Sequence, residues 1–366
     1  MLIKLAATDD LYQTVISCLE RGGIVALPTD TVYGLAVDAE NESAVEKLSR
    51  LKGRKNKPYT FFIPRSKLEH YAVVVKKKIV DYFMPGPLTV LLKKQEAVKL
   101  PLTGDIIGIR IPQSDFIARL LAAYPRPLAV TSANRAGEPT FVSAYEIVEN
   151  FTGVDLVLDA GNLTGPPSTV LDLTTTPATV IRKGAIPILE IEKVQGQKTV
   201  LAEGLQFNVL FVCTGNTCRS PMATGILKTL VDEKKVTVRS AGMNTTDGNP
   251  AAPHAVEIVR EYGGAIDDHR TQELTPEHAR WADLILVMEF RHYEYVLQFA
   301  PEAVPKIFLL KEYKRNTRYN EVADPVGQDL EAYRQSALDM LPSLKFVARD
   351  IMKRFKNAKF QMTNDK

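Results

Sequence analysis

Three cysteines in 366 residues (Cys18, Cys213 and Cys218) are too few for a disulfide framework and point to a reducing compartment. The five histidines show no His-x3-His type of spacing, so no metal site is read from the sequence. No apolar run is long. The stretch LILVM from Leu284 to Met288 is strand-sized, far short of the roughly 20 residues a bilayer-crossing helix needs. An excess of one charge is lacking too: 46 Lys and Arg against 43 Asp and Glu leave a net charge of +3, which gives no global argument for nucleic acid or a membrane. The beginning MLIKLAATDD turns acidic before an apolar stretch develops, so it is no secretory signal. The expectation is a soluble, cytoplasmic protein. What is present is ordinary globular material, 45% hydrophobic and 24% charged, in a chain longer than one core usually fills, and two domains follow as the prior.

The first half breaks into short apolar segments bordered by Gly and Pro: GGIVALP, YTFFIP, PLTVLL, GIRIP, PLAVTSA, STVLDL and ATVIRKG. Their β-branched content favours strands. With helical candidates from Ser43 to Leu51 and from Ser143 to Asn150, they predict an α/β domain on one sizeable mixed sheet. From Glu190 to Gln206 the chain is polar and aperiodic, so a linker is placed at 193–206, between domains at 1–192 and 207–357, with a tail at 358–366. The second half alternates strand and helix: FNVLFV, KKVTVRSAG, PHAVEIVREYG, ADLILVME, KIFLL and a terminal helix from about Gln328 to Phe355. That alternation predicts a doubly wound parallel sheet.

Between the strand FNVLFV and the helix after it lies VCTGNTCRSP, residues 212–221. Cys213, five intervening residues and Arg219 close a loop around a tetrahedral oxyanion, with backbone N–H groups turned inward. Cys213 is the candidate nucleophile, its thiol expected to be acidified by the positive field, and Arg219 is the planar clamp for two phosphate oxygens. Thr214, Gly215, Asn216, Thr217, Cys218 and Ser220 complete the loop, Gly215 being expected to supply backbone freedom and Ser220 a hydrogen bond to the leaving thiolate. Asp324, in the turn ADPVG, is the candidate acid for the leaving group. Two readings of Cys218 stand side by side: small apolar packing, or a reversible disulfide with Cys213 under peroxide. Cys18 reads as core, His269 and His292 as structural, and Trp281 as helix-end packing.

VLFVCTGNTCRSPMA, RSAGM, PHAVE, LTPEHARWADLILVM and DPVG resemble the low-molecular-weight protein-tyrosine-phosphatase family over about Phe207 to Asn357. Within it the protein-arginine phosphatase branch is nearest, because Thr217 stands where tyrosine-specific members usually carry Ile. The resemblance implies Cys213 as nucleophile, Asn216 as loop organiser, Arg219 as clamp, Ser220 as thiolate partner, Asp324 as acid and a phosphoprotein as substrate, with no cofactor. Val326 stands where an aromatic commonly walls the substrate slot, and PMAT replaces PMAE. Thioredoxin-coupled arsenate reductases share the loop but need further cysteines, and none follows Cys218.

In the first half three pieces are polar beyond what a fold demands: PTDTVYGL from Pro28, the basic run KLSRLKGRKNKP from Lys47, and VTSAN from Val130. Alone, the run reads as a solvated face and VTSAN as a turn. Together with PGPLTVLL, GIRIP, STVLDL and IRKGAI they resemble the YrdC-like threonylcarbamoyl-AMP synthases over about Met1 to Ile191. The resemblance implies formation of threonylcarbamoyl-AMP from L-threonine, bicarbonate and ATP, for adenosine modification in tRNA. Lys52, Arg54 and Arg182 would neutralise the ATP phosphates with Mg²⁺ bridging them, and Ser132 and Asn134 would hold the nucleotide. Thr31, Arg110 and Ser168 would grip threonine. The partners implied are tRNA and the threonylcarbamoyl-transfer machinery. A His common in longer members near Phe62 is absent. The rival reading makes this half a double-stranded RNA-binding module, against which stands the lack of aromatic stacking platforms.

Overall fold

The short β-branched segments of the first half pair into one mixed sheet. A computed structural model describes residues 1–4, 8–53, 58–101, 104–135, 137–313 and 321–355. Arg54, Lys55 and Lys57 of the basic run, Asn357 and the expected tail at 358–366 lie outside the described residues. The chain divides into two compact units, Met1–Ile186 with Val194–Gln197, and Pro187–Lys193 with the chain from Lys198 onward.

In the first unit the strands are β1 (Leu2–Lys4), β2 (Val25–Leu27), β3 (Gly34–Asp38), β4 (Thr60–Phe62), β5 (Ala72–Val73), β6 (Leu88–Lys94), β7 (Ile106–Arg110), β8 (Leu128–Ser132), β9 (Leu156–Asp159), β10 (Thr169–Asp172) and β11 (Thr179–Arg182). Their order is β1-β9-β2-β3-β8-β4-β7-β6-β10-β11, with β5 against β6. The pairings β1/β9, β2/β9, β4/β7 and β6/β10 are parallel; β2/β3, β3/β8, β4/β8, β6/β7 and β10/β11 are antiparallel. All five residues of β3 are buried, as a strand covered on both faces requires. The helices Asp9–Glu20 and Asp115–Ala123 close one face, packing Leu11, Val15, Leu19, Phe116 and Leu120 onto Val25, Leu27, Leu128 and Leu156. Each such side chain contributes roughly 1.5–3 kcal/mol when fully buried. Cys18 belongs to this core. The two helices read from the sequence are found at Glu42–Leu51 and Ala144–Asn150, each started by a side-chain cap, Asn41 and Ser143.

In the second unit a short strand β12 (Val200–Leu201) precedes β13 (Phe207–Cys213), β14 (Val236–Gly242), β15 (Leu284–Val287) and β16 (Ile307–Leu309). The last four form a sheet in the order β14-β13-β15-β16, every pair parallel. The chain leaves β13 toward one neighbour through the helix Arg219–Leu230 and later returns to pair β15 on its other side. The carboxyl end of β13 is therefore the switch point where open α/β sheets place their ligands. Cys213 occupies it. Trp281 ends the helix Pro276–Trp281, with the Arg239 guanidinium 4.5 Å above its ring.

The segment read as an aperiodic linker is built differently. Ile188–Gln195 is a helix, and Glu192 and Lys198 are paired. Arg354, fully buried, donates from Nε to Glu192 Oε1 at 2.8 Å and from Nη2 to Oε2 at 2.7 Å. Lys198 reaches Asp350 at 2.7 Å, and the Thr199 hydroxyl donates to Glu192 at 3.1 Å. A polar stretch looks solvated in sequence because its partner lies more than 150 residues away. Among the described residues no helix is long and apolar enough to cross a membrane.

Candidate active sites

The loop between β13 and the helix Arg219–Leu230 is held from outside by Asn216, which adopts a left-handed φ of 54°. Its amide donates to Ser220 Oγ and to Ser240 Oγ, both at 2.9 Å, and its Oδ1 accepts the Gln272 N–H at 3.0 Å. His269 Nε2 contacts its carbonyl at 2.8 Å. Four partners over-determine a conformation that a free asparagine would resist. The expectation for Gly215 is corrected here. Its φ is not left-handed, and an added Cβ would only meet Thr217 Oγ1 at 3.5 Å, so the freedom the loop needs resides at Asn216.

Cys213 Sγ lies 3.0 Å from Ser220 Oγ, and the Asn216 N–H points at it from 3.3 Å. Loop N–H groups thus do turn toward the sulfur. The expected acidification is nevertheless absent: burial pushes the Cys213 thiol up, outweighing the Ser220, Arg219 and Asn216 contributions that pull it down. Arg219, only 1% exposed, gives Nη1 to Glu289 and to the Val322 carbonyl, and Nη2 to Asp324 Oδ2 at 2.5 Å. Two carboxylates thus face the guanidinium, whose charge still pulls the Cys213 pKa down, though less than burial pushes it up. Arg219 Nε is buried and has no partner among the described residues.

Asp324 is held by its own turn, where Oδ1 accepts the Val326 N–H at 3.2 Å. Thr217 is half-buried, its hydroxyl 3.4 Å from Cys218 Sγ, which in turn lies 3.1 Å from the Tyr333 hydroxyl. All three cysteines are free thiols. Thr214 meets His292 Nε2 at 2.9 Å and Arg291 Nη2 at 3.2 Å. Sequence reasoning missed Glu289. It follows the carboxyl end of β15, next to the switch point, and that position was the available signal. Burial works to raise the Glu289 pKa, but hydrogen bonds from Arg291 and Arg219 and the charge of Arg219 hold it below the usual carboxylate range.

The first unit has a cavity of about 400 Å³. Ser132 at the end of β8, Asn134 just after it, Arg110 at the end of β7, Ser168 before β10 and Arg182 at the end of β11 all line it. Five of the sequence candidates converge although they lie scattered from Arg110 to Arg182. Arg182 donates to the Ser168 carbonyl at 2.8 Å and to its hydroxyl at 3.0 Å. Arg110 pairs with Asp30 at 2.6 Å, its pKa lowered by burial against the pull of Asp30. Thr31 is buried, hydrogen-bonded to Thr29, which lines the cavity. Lys52 is also buried: it gives its ammonium to the Ser132 carbonyl at 2.8 Å, to Asn134 Oδ1 at 2.9 Å and to the Asn134 carbonyl, and so braces the Ser-x-Asn turn. Arg54 lies outside the described residues. Thr89, 2.9 Å from the Ser168 hydroxyl, and Asp30 were missed. Phe62, in place of the absent histidine, lines the cavity beneath Arg110, 5.9 Å from its guanidinium.

Two family models match the chain: Sua5/YciO/YrdC, described as telomere recombination, over residues 17–184, and low-molecular-weight phosphotyrosine protein phosphatase over residues 208–356. A putative threonylcarbamoyl-AMP synthase of Methanocaldococcus jannaschii is 39% identical over 47% of this chain and 85% of that protein. A protein-arginine-phosphatase of Geobacillus stearothermophilus is 39% identical over 38% of this chain and 92% of that protein. The chain belongs to both families. The threonylcarbamoyl-AMP synthase of Pyrococcus abyssi is 37% identical over 49% of this chain, which spans only 55% of that relative's length. The P. abyssi Sua5 structure complexed with L-threonine is similar in fold over 97% of this chain and 98% of its own, with a TM-score of 0.51 at 22% identity.

Proposed function

We propose that the chain carries two activities: threonylcarbamoyl-AMP formation in the first unit and cysteine-dependent dephosphorylation of proteins, phosphoarginine preferred, in the second. For the first, the supporting observation is a cavity that gathers Arg110, Arg182, Ser132, Asn134 and Ser168 with no carboxylate among its described lining residues. A polar, cationic pocket of this kind suits a polyanionic nucleotide and an amino-acid carboxylate. Arg182, among the described residues bonded only to neutral oxygens of Ser168, is open to ATP phosphate. Arg110 keeps Asp30 on one nitrogen and offers its remaining N–H groups to the threonine carboxylate. The lining supplies hydroxyls, an amide and guanidinium groups, none of them a strong Mg²⁺ ligand, so Mg²⁺ enters on the ATP phosphates as part of the substrate. Lys52 keeps the Ser132–Asn134 turn in register for the nucleotide, and the product would pass to the tRNA threonylcarbamoyl-transfer machinery. Formation of threonylcarbamoyl-AMP and pyrophosphate that requires both threonine and bicarbonate tests this reading; ATP use indifferent to either would return the half to an RNA-binding role.

For the second unit, the arriving phosphoryl group takes the unpartnered Arg219 Nε and displaces Asp324 from Nη2. Arg219 then bears on the phosphoryl oxygens, the Cys213 proton passes to the released Asp324 carboxylate, the thiolate attacks phosphorus as its bond to the leaving nitrogen or oxygen breaks, and Asp324 hands the proton to that leaving group. Water then hydrolyses the phosphocysteine while Ser220 hydrogen-bonds the departing thiolate. Thr217 presents a hydroxyl at the loop, which favours a polar guanidinium over a phenol ring. Phosphoarginine and phosphotyrosine peptides compared side by side test the preference.

A further inference from the structure

We propose that the Thr214 hydroxyl is a dedicated hydrogen-bond donor to a phosphoryl oxygen, and that buried His292 is the positioning residue that fixes it in that role. The inference rests on the phosphatase reading of this site. It begins with an obligatory donor, the Glu289 backbone N–H, which lies 3.1 Å from His292 Nδ1. A backbone N–H cannot accept, so Nδ1 is the bare nitrogen and the hydrogen of the neutral ring sits on Nε2. Nε2 is 2.9 Å from Thr214 Oγ1, and there the ring donates and the hydroxyl accepts. The ring stays neutral because it is fully buried and faces Arg219 and Arg291, which together lower its pKa to about 4 against the opposing pull of Glu289.

Arg291 Nη2 donates to the same Thr214 oxygen from 3.2 Å. A threonine hydroxyl has two acceptor sites and one hydrogen. Both acceptor sites are filled, by a ring N–H and a guanidinium that cannot themselves accept. The Thr214 hydrogen can therefore only be given elsewhere, and among the described residues nothing receives it. Its surroundings identify the acceptor. Thr214 follows the nucleophile, is half-buried, and its neighbour Arg291 shares Glu289 with the clamp Arg219. The group that arrives on this wall during the reaction is a phosphoryl oxygen.

Inorganic phosphate binding to the full chain, measured by titration calorimetry, tests this without turnover. Thr214→Val keeps the shape and removes the hydroxyl; it should weaken phosphate roughly ten- to a hundredfold, the range for a hydrogen bond to a charged group. Thr214→Ser should keep wild-type affinity. His292→Phe should weaken phosphate comparably, yet add nothing on top of Thr214→Val, because it acts only through that hydroxyl. Unchanged phosphate affinity in Thr214→Val overturns the proposal, as does a His292→Phe effect that adds in full to Thr214→Val. Should His292→Phe fail to fold, the Val and Ser pair decides alone. If phosphate does not bind the wild-type chain, the phosphatase reading falls, and the inference with it.

Discussion

On the proposed reading, the two sites would bind their anions in opposite ways. In the second unit the proposed nucleophile, cradle and clamp all come from one continuous loop, Cys213 to Ser220, and Arg219 is buried against Glu289 and Asp324. In the first unit the cavity is collected from the ends of β7, β8 and β11 and from the loop before β10, and Arg182 rests on neutral oxygens. A compensated buried cation must exchange partners before it binds phosphate, whereas an open one need not. The second site should therefore depend on the protonation and release of carboxylates, and the first on the register of strands that are far apart in sequence.

Several substitutions would break or sharpen that contrast. Removing the nucleophile by Cys213→Ser should lower phosphatase turnover by at least about four orders of magnitude while leaving threonine-dependent ATP use intact; parallel assays of both activities on one preparation decide it. Next in size is Glu192→Ala. It removes the two-pronged partner of buried Arg354, which keeps Asp350 at 3.2 Å, and should destabilise the second unit by roughly 1.5–3 kcal/mol, read from thermal unfolding. A fragment begun near Gln206, where the sequence suggested a free cut, loses Glu192, Lys198 and Thr199 and should suffer likewise, whereas one begun before Pro187 should not.

Acid should act on the second unit through His292. Its folded pKa of about 4 lies below the roughly 6.5 of an unfolded histidine, so the unfolded chain binds the proton first. Stability should fall as pH drops from about 6.5 toward 4, by on the order of 2–3 kcal/mol at pH 4.5. Chemical denaturation at pH 7 and 4.5 measures it, and His292→Asn should flatten the difference. In the first unit Arg182→Ala should cut ATP turnover roughly ten- to a hundredfold and spare the phosphatase. The smallest effect is one of preference: Thr217→Ile should shift the phosphoarginine-to-phosphotyrosine rate ratio about tenfold toward tyrosine. Equal response of both substrates would detach Thr217 from specificity.

How far the sequence carried the reading follows the same contrast. Cys213, Arg219 and Ser220 were legible because their spacing along eight residues is also their spacing in space. Ser132, Asn134 and Arg182 were legible only through resemblance, since nothing local distinguishes them from turn residues. Asp30 and Glu289 escaped notice: each is an acid next to a strand, and only the fold shows that its partner is the site's arginine. Glu192 escaped for a related reason. Its partner Arg354 lies just past the last helix, Leu330–Met352, far beyond any sequence period. The acidification expected for Cys213 left out the cost of burying a thiolate, which outweighs the pull of Ser220, Arg219 and Asn216.

The central claim is two independent active sites in one chain. It is tested most directly by assaying wild type, Cys213→Ser and Arg110→Ala side by side for two products: pyrophosphate formed from ATP with threonine and bicarbonate, and phosphate released from a phosphoarginine peptide. The expected result is that wild type makes both, Cys213→Ser makes only pyrophosphate, and Arg110→Ala releases only phosphate. A folded variant that loses both products, or a wild type that lacks either one, would contradict the claim.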